Sequence, residues 1–159
     1  MPEAAAKTRS SDPRVAAAIA HWAPRFVSNG VLLADFEEVT ASLERWDDWC
    51  AAWSSRAALH EALGRDSLKE GFNLTAGEHL VRAAIYYHFA KFVFVQDVQQ
   101  MRAAHMKAVE CYDAALAYLN PPGEKVKIPF EKNLLRGILR KPPNVKKPPV
   151  VVMAPGLDS

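Results

Sequence analysis

The sequence predicts a mainly α protein whose last quarter changes to strand-forming structure. Three observations predict it. Residues 1–120 hold 25 alanines and three prolines, whereas residues 121–159 hold one alanine and eight prolines. Apolar side chains in the first stretch recur at spacings of three and four, which places them on one face of a helix. Beyond Asn120-Pro121-Pro122-Gly123, a strong turn signal, the pattern becomes an alternation of polar and apolar residues. Charge divides at the same place. The first part carries 12 basic and 15 acidic residues, the second 8 and 3. The expected organisation is a helical unit over 1–120 and a distinct unit over 121–159.

Each element has its own signal. Asp12-Pro13 is an N-cap followed by proline at the first helical position, and the helix is expected to run to about Pro24. A short second helix is expected over about 34–44. A long third, about 46–69, starts with Trp46, Trp49 and Trp53, whose spacing aligns the indoles on one face. That stripe is expected in the core or at a dimer interface, with a ligand-stacking surface as the alternative. Thr75 and Glu78 form a T-x-x-E capping box for the fourth helix, which continues through Leu80, Ala83, Ala84, Tyr87, Ala90 and Phe94. The three alanines allow a neighbouring helix to approach closely. A fifth helix begins near Asp97 and repeats Met101, His105, Ala108, Tyr112, Ala115 and Leu119. Next, 125–130 and 134–140 read as strands of a hairpin, turning at Glu131-Lys132-Asn133. A Pro/Lys loop leads to Val150-Val151-Val152-Met153, a β-branched run suited to a strand buried on both faces.

Composition excludes several classes. The chain is 50% hydrophobic and 24% charged, ordinary for a globular protein. No apolar run approaches the roughly 20 residues needed to span a membrane, and no secretory core opens the chain. Cys50 and Cys111 stand apart with no CxxC, which points to reduced thiols in the cytoplasm. The five histidines lack metal-ligand spacing, so neither metal nor cofactor is expected. The tail lysines and arginines alternate with apolar residues and read as solvated strand faces rather than a nucleic-acid footprint. Neither a phosphate loop nor GxSxG occurs, and no catalytic residue is assigned within the chain.

The last ten residues carry the most chemistry. Val150–Met153 runs into Ala154-Pro155-Gly156-Leu157-Asp158-Ser159, a strand leading to a glycine turn. Four passages in order resemble the N-terminal part of one α/β-hydrolase group, which includes 2,6-dihydroxypseudooxynicotine hydrolase and the fermentation–respiration-switch-type esterases. They are Trp46-Asp47-Asp48-Trp49-Cys50; residues 82–92, with Tyr86, Tyr87 and His88; the hairpin from Val126 to Arg140 and Pro142; and the ending Pro155 to Ser159. The resemblance covers roughly residues 25–159.

That resemblance implies a helical cap domain over 1–120, followed by a hairpin and third strand of a truncated hydrolase core over 121–159. It implies a serine nucleophile, an acid and a histidine beyond the third strand, so the chain alone is expected to be inactive. Backbone amides at Gly156 and Leu157 become oxyanion-hole candidates, and Tyr86, Tyr87 and His88 substrate-pocket candidates. The implied partners are a small carbonyl substrate in the complete enzyme and a second copy bound through the helical domain. In the family's strand order Val150–Met153 has neither sheet neighbour here, so its exposed edge is an aggregation liability. The alternative is a stand-alone helical interaction module with a basic tail.

Overall fold

The computed structural model describes residues 12–154. Five helices come first: α1 (Pro13–Ser28), α2 (Leu33–Ala41), α3 (Trp49–Lys69), α4 (Asn73–Lys91) and α5 (Val98–Ala115). Short 3₁₀ turns at Trp46–Asp48 and Leu116–Tyr118 precede α3 and follow α5. An antiparallel hairpin follows, with β1 (Gly123–Phe130) paired to β2 (Asn133–Arg140). The chain thus changes from helix to strand between Tyr118 and Gly123.

Local chemistry sets the helix ends. The Asp12 carboxylate accepts from the Arg14 amide at 2.9 Å, capping α1, and from the Trp46 amide at 2.9 Å, tying that cap to the turn before α3. The expected stop at Pro24 is wrong: α1 continues to Ser28. A proline removes a single N–H from the ladder, and its cost is offset here by what the extra turn buries. Phe26 is 1% exposed and stacks on Phe89 at a centroid distance of 3.8 Å. The T-x-x-E box is also unused. Helix α4 starts two residues before Thr75, with Phe72 in the cap position and no side-chain cap. The preceding turn decides this. Gly71 ends α3 at φ 84°, where glycine has no steric penalty, and the chain re-enters a helix at once. Asp97 does cap α5, accepting from the amides of Gln99 and Gln100.

Helix α4 lies between α3 and α5 and is the centre of the molecule. Ala83 and Ala90 are fully buried and Ala84 nearly so, giving the close approach that small residues permit. Gly64 works the same way from α3, since a Cβ there would meet Leu80 Cγ at 2.8 Å. The tryptophan stripe is core: Trp49 and Trp53 are buried with Phe26, Phe36, Tyr86 and Phe89. Trp49 Nε1 donates to the Phe89 carbonyl at 3.1 Å, so one indole joins α3 to α4 by packing and by a hydrogen bond.

The hairpin is anchored at its base. Gly123 packs on Leu116, Lys125 pairs with Asp113 at 2.5 Å, and Arg140 Nε donates to the Pro121 carbonyl at 2.9 Å. Towards the turn, Ile128, Phe130, Leu134 and Leu135 are exposed. The alternation predicts a half-buried sheet, but the described residues cover neither Ile128, Phe130 and Leu135 on one face nor Leu134 on the other. Val150–Met153 is not a strand: the segment pairs with no other, and its side chains are 80–89% exposed. A β-branched run needs a neighbour to supply its ladder, and none of the described residues offers one.

Gly77 on α4 faces the backbone of Tyr118, whose carbonyl oxygen would lie 2.8 Å from an added Cβ. Backbone cannot swing aside as a side-chain tip can. Gly77→Ala is therefore expected to destabilise the protein by about 1–3 kcal/mol despite its better helix propensity, read from urea unfolding.

Candidate functional site

Residues on α4 spaced by four and three, Ala84, His88 and Lys91, share one helix face. They meet His105, Ala108 and Tyr112, similarly spaced on α5. Between these faces lies an open cleft of 460 Å³. Asn29, just after α1, and Ile138 of β2 complete its walls, so the helices and the hairpin share one cavity. Ile85, Phe89, Val109 and Ile138 make the lining largely apolar, with few polar groups placed among them. This is the usual character of a small-molecule site.

The electrostatics of the cleft follow from burial. Desolvation first, then the charges of Lys91, Arg25 and His105, lower the His88 pKa to about 4. The ring is therefore neutral near pH 7, with one nitrogen able to donate and the other to accept. The ring packs edge-to-face with Phe89 and tilted against Phe92. Burial also lowers the pKa of Lys91. Asp113, the acid in the lining, is engaged by Lys125.

Tyr86, Tyr87 and His88 diverge because successive helical residues point about 100° apart. Only His88 reaches the cleft. Tyr86 is fully buried, and its hydroxyl donates to Asp35 Oδ2 at 2.5 Å while accepting from the Leu32 amide at 3.1 Å. His60 Nε2 lies 3.2 Å from the same oxygen, and His60 Nδ1 lies 3.2 Å from His79 Nδ1. That second contact requires one nitrogen to carry a proton and the other to lack it. Arg56 bridges Asp35 and Glu38. Burial alone would raise the Asp35 carboxyl, but Tyr86, His60 and Arg56 together hold it below its ordinary pKa.

Tyr87 serves a second network. Its hydroxyl donates to Glu61 Oε2 at 3.1 Å, and Arg65 and Lys107 complete the shell at 2.8 and 3.3 Å. Burial would raise Glu61, and these three donors reverse the shift. Burial and then the Glu61 charge push the neighbouring Cys111 thiol up to about 12, so it is neither ionised nor reactive. Both networks join helices and engage the Tyr86 and Tyr87 hydroxyls, so Tyr112 is the tyrosine that lines the cleft.

No built nucleophile occurs among the described residues. Ser28, Ser42, Ser55 and Ser67 each donate to a backbone carbonyl three or four residues earlier, and no serine contacts a histidine. No group of three histidine, cysteine or acidic side chains could hold a metal among these residues. Gly156 and Leu157 lie outside the described residues. Sequence reasoning missed Asn29, Lys91, Asp113 and Ile138 as cleft residues. His105 carried a legible signal, being a polar side chain within an otherwise apolar stripe.

A family model described as Esterase FrsA-like matches residues 37–159. Alpha/beta hydrolase pydG of Acremonium sp is 26% identical over 139 residues, covering 83% of this chain and 33% of the relative. The 2,6-dihydropseudooxynicotine hydrolase of Paenarthrobacter nicotinovorans is 30% identical over 111 residues, covering 70% and 30%. The crystal structure of a 2,6-dihydroxy-pseudo-oxynicotine hydrolase superposes with a TM-score of 0.63 at 24% identity, over 73% of this chain and 32% of that one. The chain spans about a third of the length of the curated relatives it matches.

Two substitutions probe these arrangements. Tyr86→Phe removes the donor to Asp35 and the acceptor for Leu32, and is expected to cost about 1–3 kcal/mol in urea unfolding at pH 7. The folded pKa of His88 lies below its ordinary value of 6.5, so the unfolded chain binds that proton first as pH falls. Its contribution is complete above that value and is lost as pH drops towards about 4. Discounted for the open cleft, wild type should lose on the order of 1–2 kcal/mol more than His88→Gln between pH 7 and pH 4.

Proposed function

Because the chain belongs to the esterase FrsA-like family of α/β-hydrolases, we propose that it supplies the helical cap and first strands of a serine-type hydrolase acting on a small carbonyl compound. The cleft is the observation that carries this reading: α4 and α5 form two of its walls and β2 contributes Ile138. In this reading the cleft is the pocket for the acyl or aryl part of the substrate. Of Tyr86, Tyr87 and His88, His88 is the one on its wall, since Tyr86 and Tyr87 are committed to Asp35 and Glu61.

The chemistry is nucleophilic acyl transfer. A serine attacks the carbonyl, a histidine takes the serine proton and later gives it to the leaving group, and an acidic residue orients that histidine. These three groups come from chain beyond the 159 residues. Backbone amides at Gly156 and Leu157 donate to the developing oxyanion, where a glycine turn lets the main chain come close. The scissile bond is that of an ester, an amide or a diketone-like C–C unit.

The helical part also provides the contact for a homodimer in this reading. Leu59 and Leu63, one turn apart on α3, are half-exposed and available for it. The free, buried Cys50 and Cys111 accord with a reducing cytoplasm. No helix among the described residues is long and apolar enough to cross a membrane.

The test separates catalysis from binding. The purified 159-residue chain should leave p-nitrophenyl acetate at the buffer rate of hydrolysis. The coding frame beyond residue 159 should supply GxSxG followed by Asp and His, and its full product should turn the ester over. Enzyme-like turnover by the 159-residue chain alone would overturn this placement of the nucleophile.

A further inference from the structure

The cleft is lined by a lysine, Lys91, that has no ion-pair partner among the described residues, although burial disfavours its charged form. His105 faces the same space from α5. Arg25, which stands over the rings of Trp22 and Phe92 at 5.2 and 5.0 Å, acts electrostatically on His88 from the α1 side. Against these stands Asp113, whose charge is taken by Lys125 at 2.5 Å. A partly desolvated ammonium without a counter-ion is costly unless a ligand supplies one.

The walls restrict what that ligand can be. Phe89, Val109 and Ile138 present apolar surface, and 460 Å³ accommodates one aromatic ring with a short side arm. The polar donors in the lining are the Lys91 ammonium, the His88 and His105 imidazoles, the Tyr112 hydroxyl and the Asn29 amide, with no guanidinium among them. That suits a carboxylate rather than a phosphate, which usually draws on guanidinium groups or several backbone amides. A cationic ligand would meet Lys91 directly.

We propose that this cleft recognises a small aromatic carboxylate, with its ring against Phe89, Val109 and Ile138 and its carboxylate on Lys91. The inference rests on the reading of the cleft as the acyl or aryl pocket and names the substrate class for it: an aryl carbonyl compound that also bears a carboxylate. Lys91 is the specificity-determining residue. His88 supplies one hydrogen bond, and its proton affinity rises when the anion offsets the surrounding positive charge.

Phenylacetate and phenylacetamide share a ring and a side-arm length and differ in charge, so their comparison isolates the carboxylate. Titrated into the 159-residue chain at pH 7 and followed by NMR, phenylacetate should bind at least tenfold more tightly. Lys91→Gln should abolish the preference while leaving phenylacetamide affinity unchanged. Lys69→Gln, which alters a lysine paired with Asp66 outside the cleft, should change neither. With phenylacetate saturating, the His88 titration midpoint should move up from about 4. Should Lys91→Gln fail a thermal-melt check of folding, the two-ligand comparison and the His88 midpoint in wild type decide the matter.

Equal affinity for the two ligands, tighter binding of the amide, or binding of neither overturns the proposal. The complete enzyme separates this failure from failure of the acyl-transfer reading. Aryl-ester turnover that phenylacetate does not inhibit rejects the ligand class and keeps the hydrolase. Phenylacetate bound in the cleft of a protein whose complete form turns over no ester rejects the hydrolase and keeps the site.

Discussion

Helix α4 is enclosed by α3 on one side and α5 on the other, and most of the remaining structure depends on that enclosure. Three consecutive residues show why. The helical rotation sends Tyr86 towards Asp35 on α2, Tyr87 towards Glu61 on α3, and His88 towards α5 and the cleft. Each direction has its own chemistry, and the packing on all three sides fixes the rotation. Small residues make the enclosure tight, with Ala83, Ala90 and Gly77 letting neighbours reach the α4 backbone. The aromatic cluster around Trp49, Trp53, Phe26 and Phe89 then locks α1 and α3 against it.

The buried polar groups are divided in a way that bears on function. Asp35 and Glu61 are each surrounded by donors, so their charges are compensated and their networks rigidify the bundle. Lys91 and His88 are not compensated in this way. A fold that pairs its structural carboxylates so fully and leaves an ammonium facing a cleft has placed its unmet electrostatic demand where a small molecule can reach it. The hairpin matters to this arrangement because Ile138 closes one wall, and its base is held to the bundle by Lys125 and Arg140.

The exposed apolar side chains lie away from that base. Ile128, Phe130, Leu134 and Leu135 on the hairpin, and Val150–Met153 after it, have no cover among the described residues. Exposure of so many apolar side chains is typical of surfaces that contact further protein. It agrees with the length relation to the hydrolase relatives, of which the chain spans about a third.

Much of the fold was legible in the chain because local rules govern it. The helix-to-strand change at Pro121-Pro122-Gly123, the cap at Asp12, the start of α5 near Asp97, the buried tryptophan stripe and the hairpin all come from short-range spacing and turn chemistry, although Asn133, expected in the turn, is the first residue of β2. The ordered passages that resemble one hydrolase group were also readable, because motif order survives where overall identity is low. The misreadings at Pro24 and Thr75 arose where packing outweighed a local signal: burial of Phe26 carried α1 past its proline, and the Gly71 turn set the start of α4. Val150–Met153 has strand composition but no strand, because a ladder needs a partner that composition cannot provide. The cleft was decided by tertiary structure alone. Asn29, Lys91, His105, Asp113 and Ile138 span more than a hundred positions, and only the packing of α4 against α5 and the docking of the hairpin base bring them to one cavity.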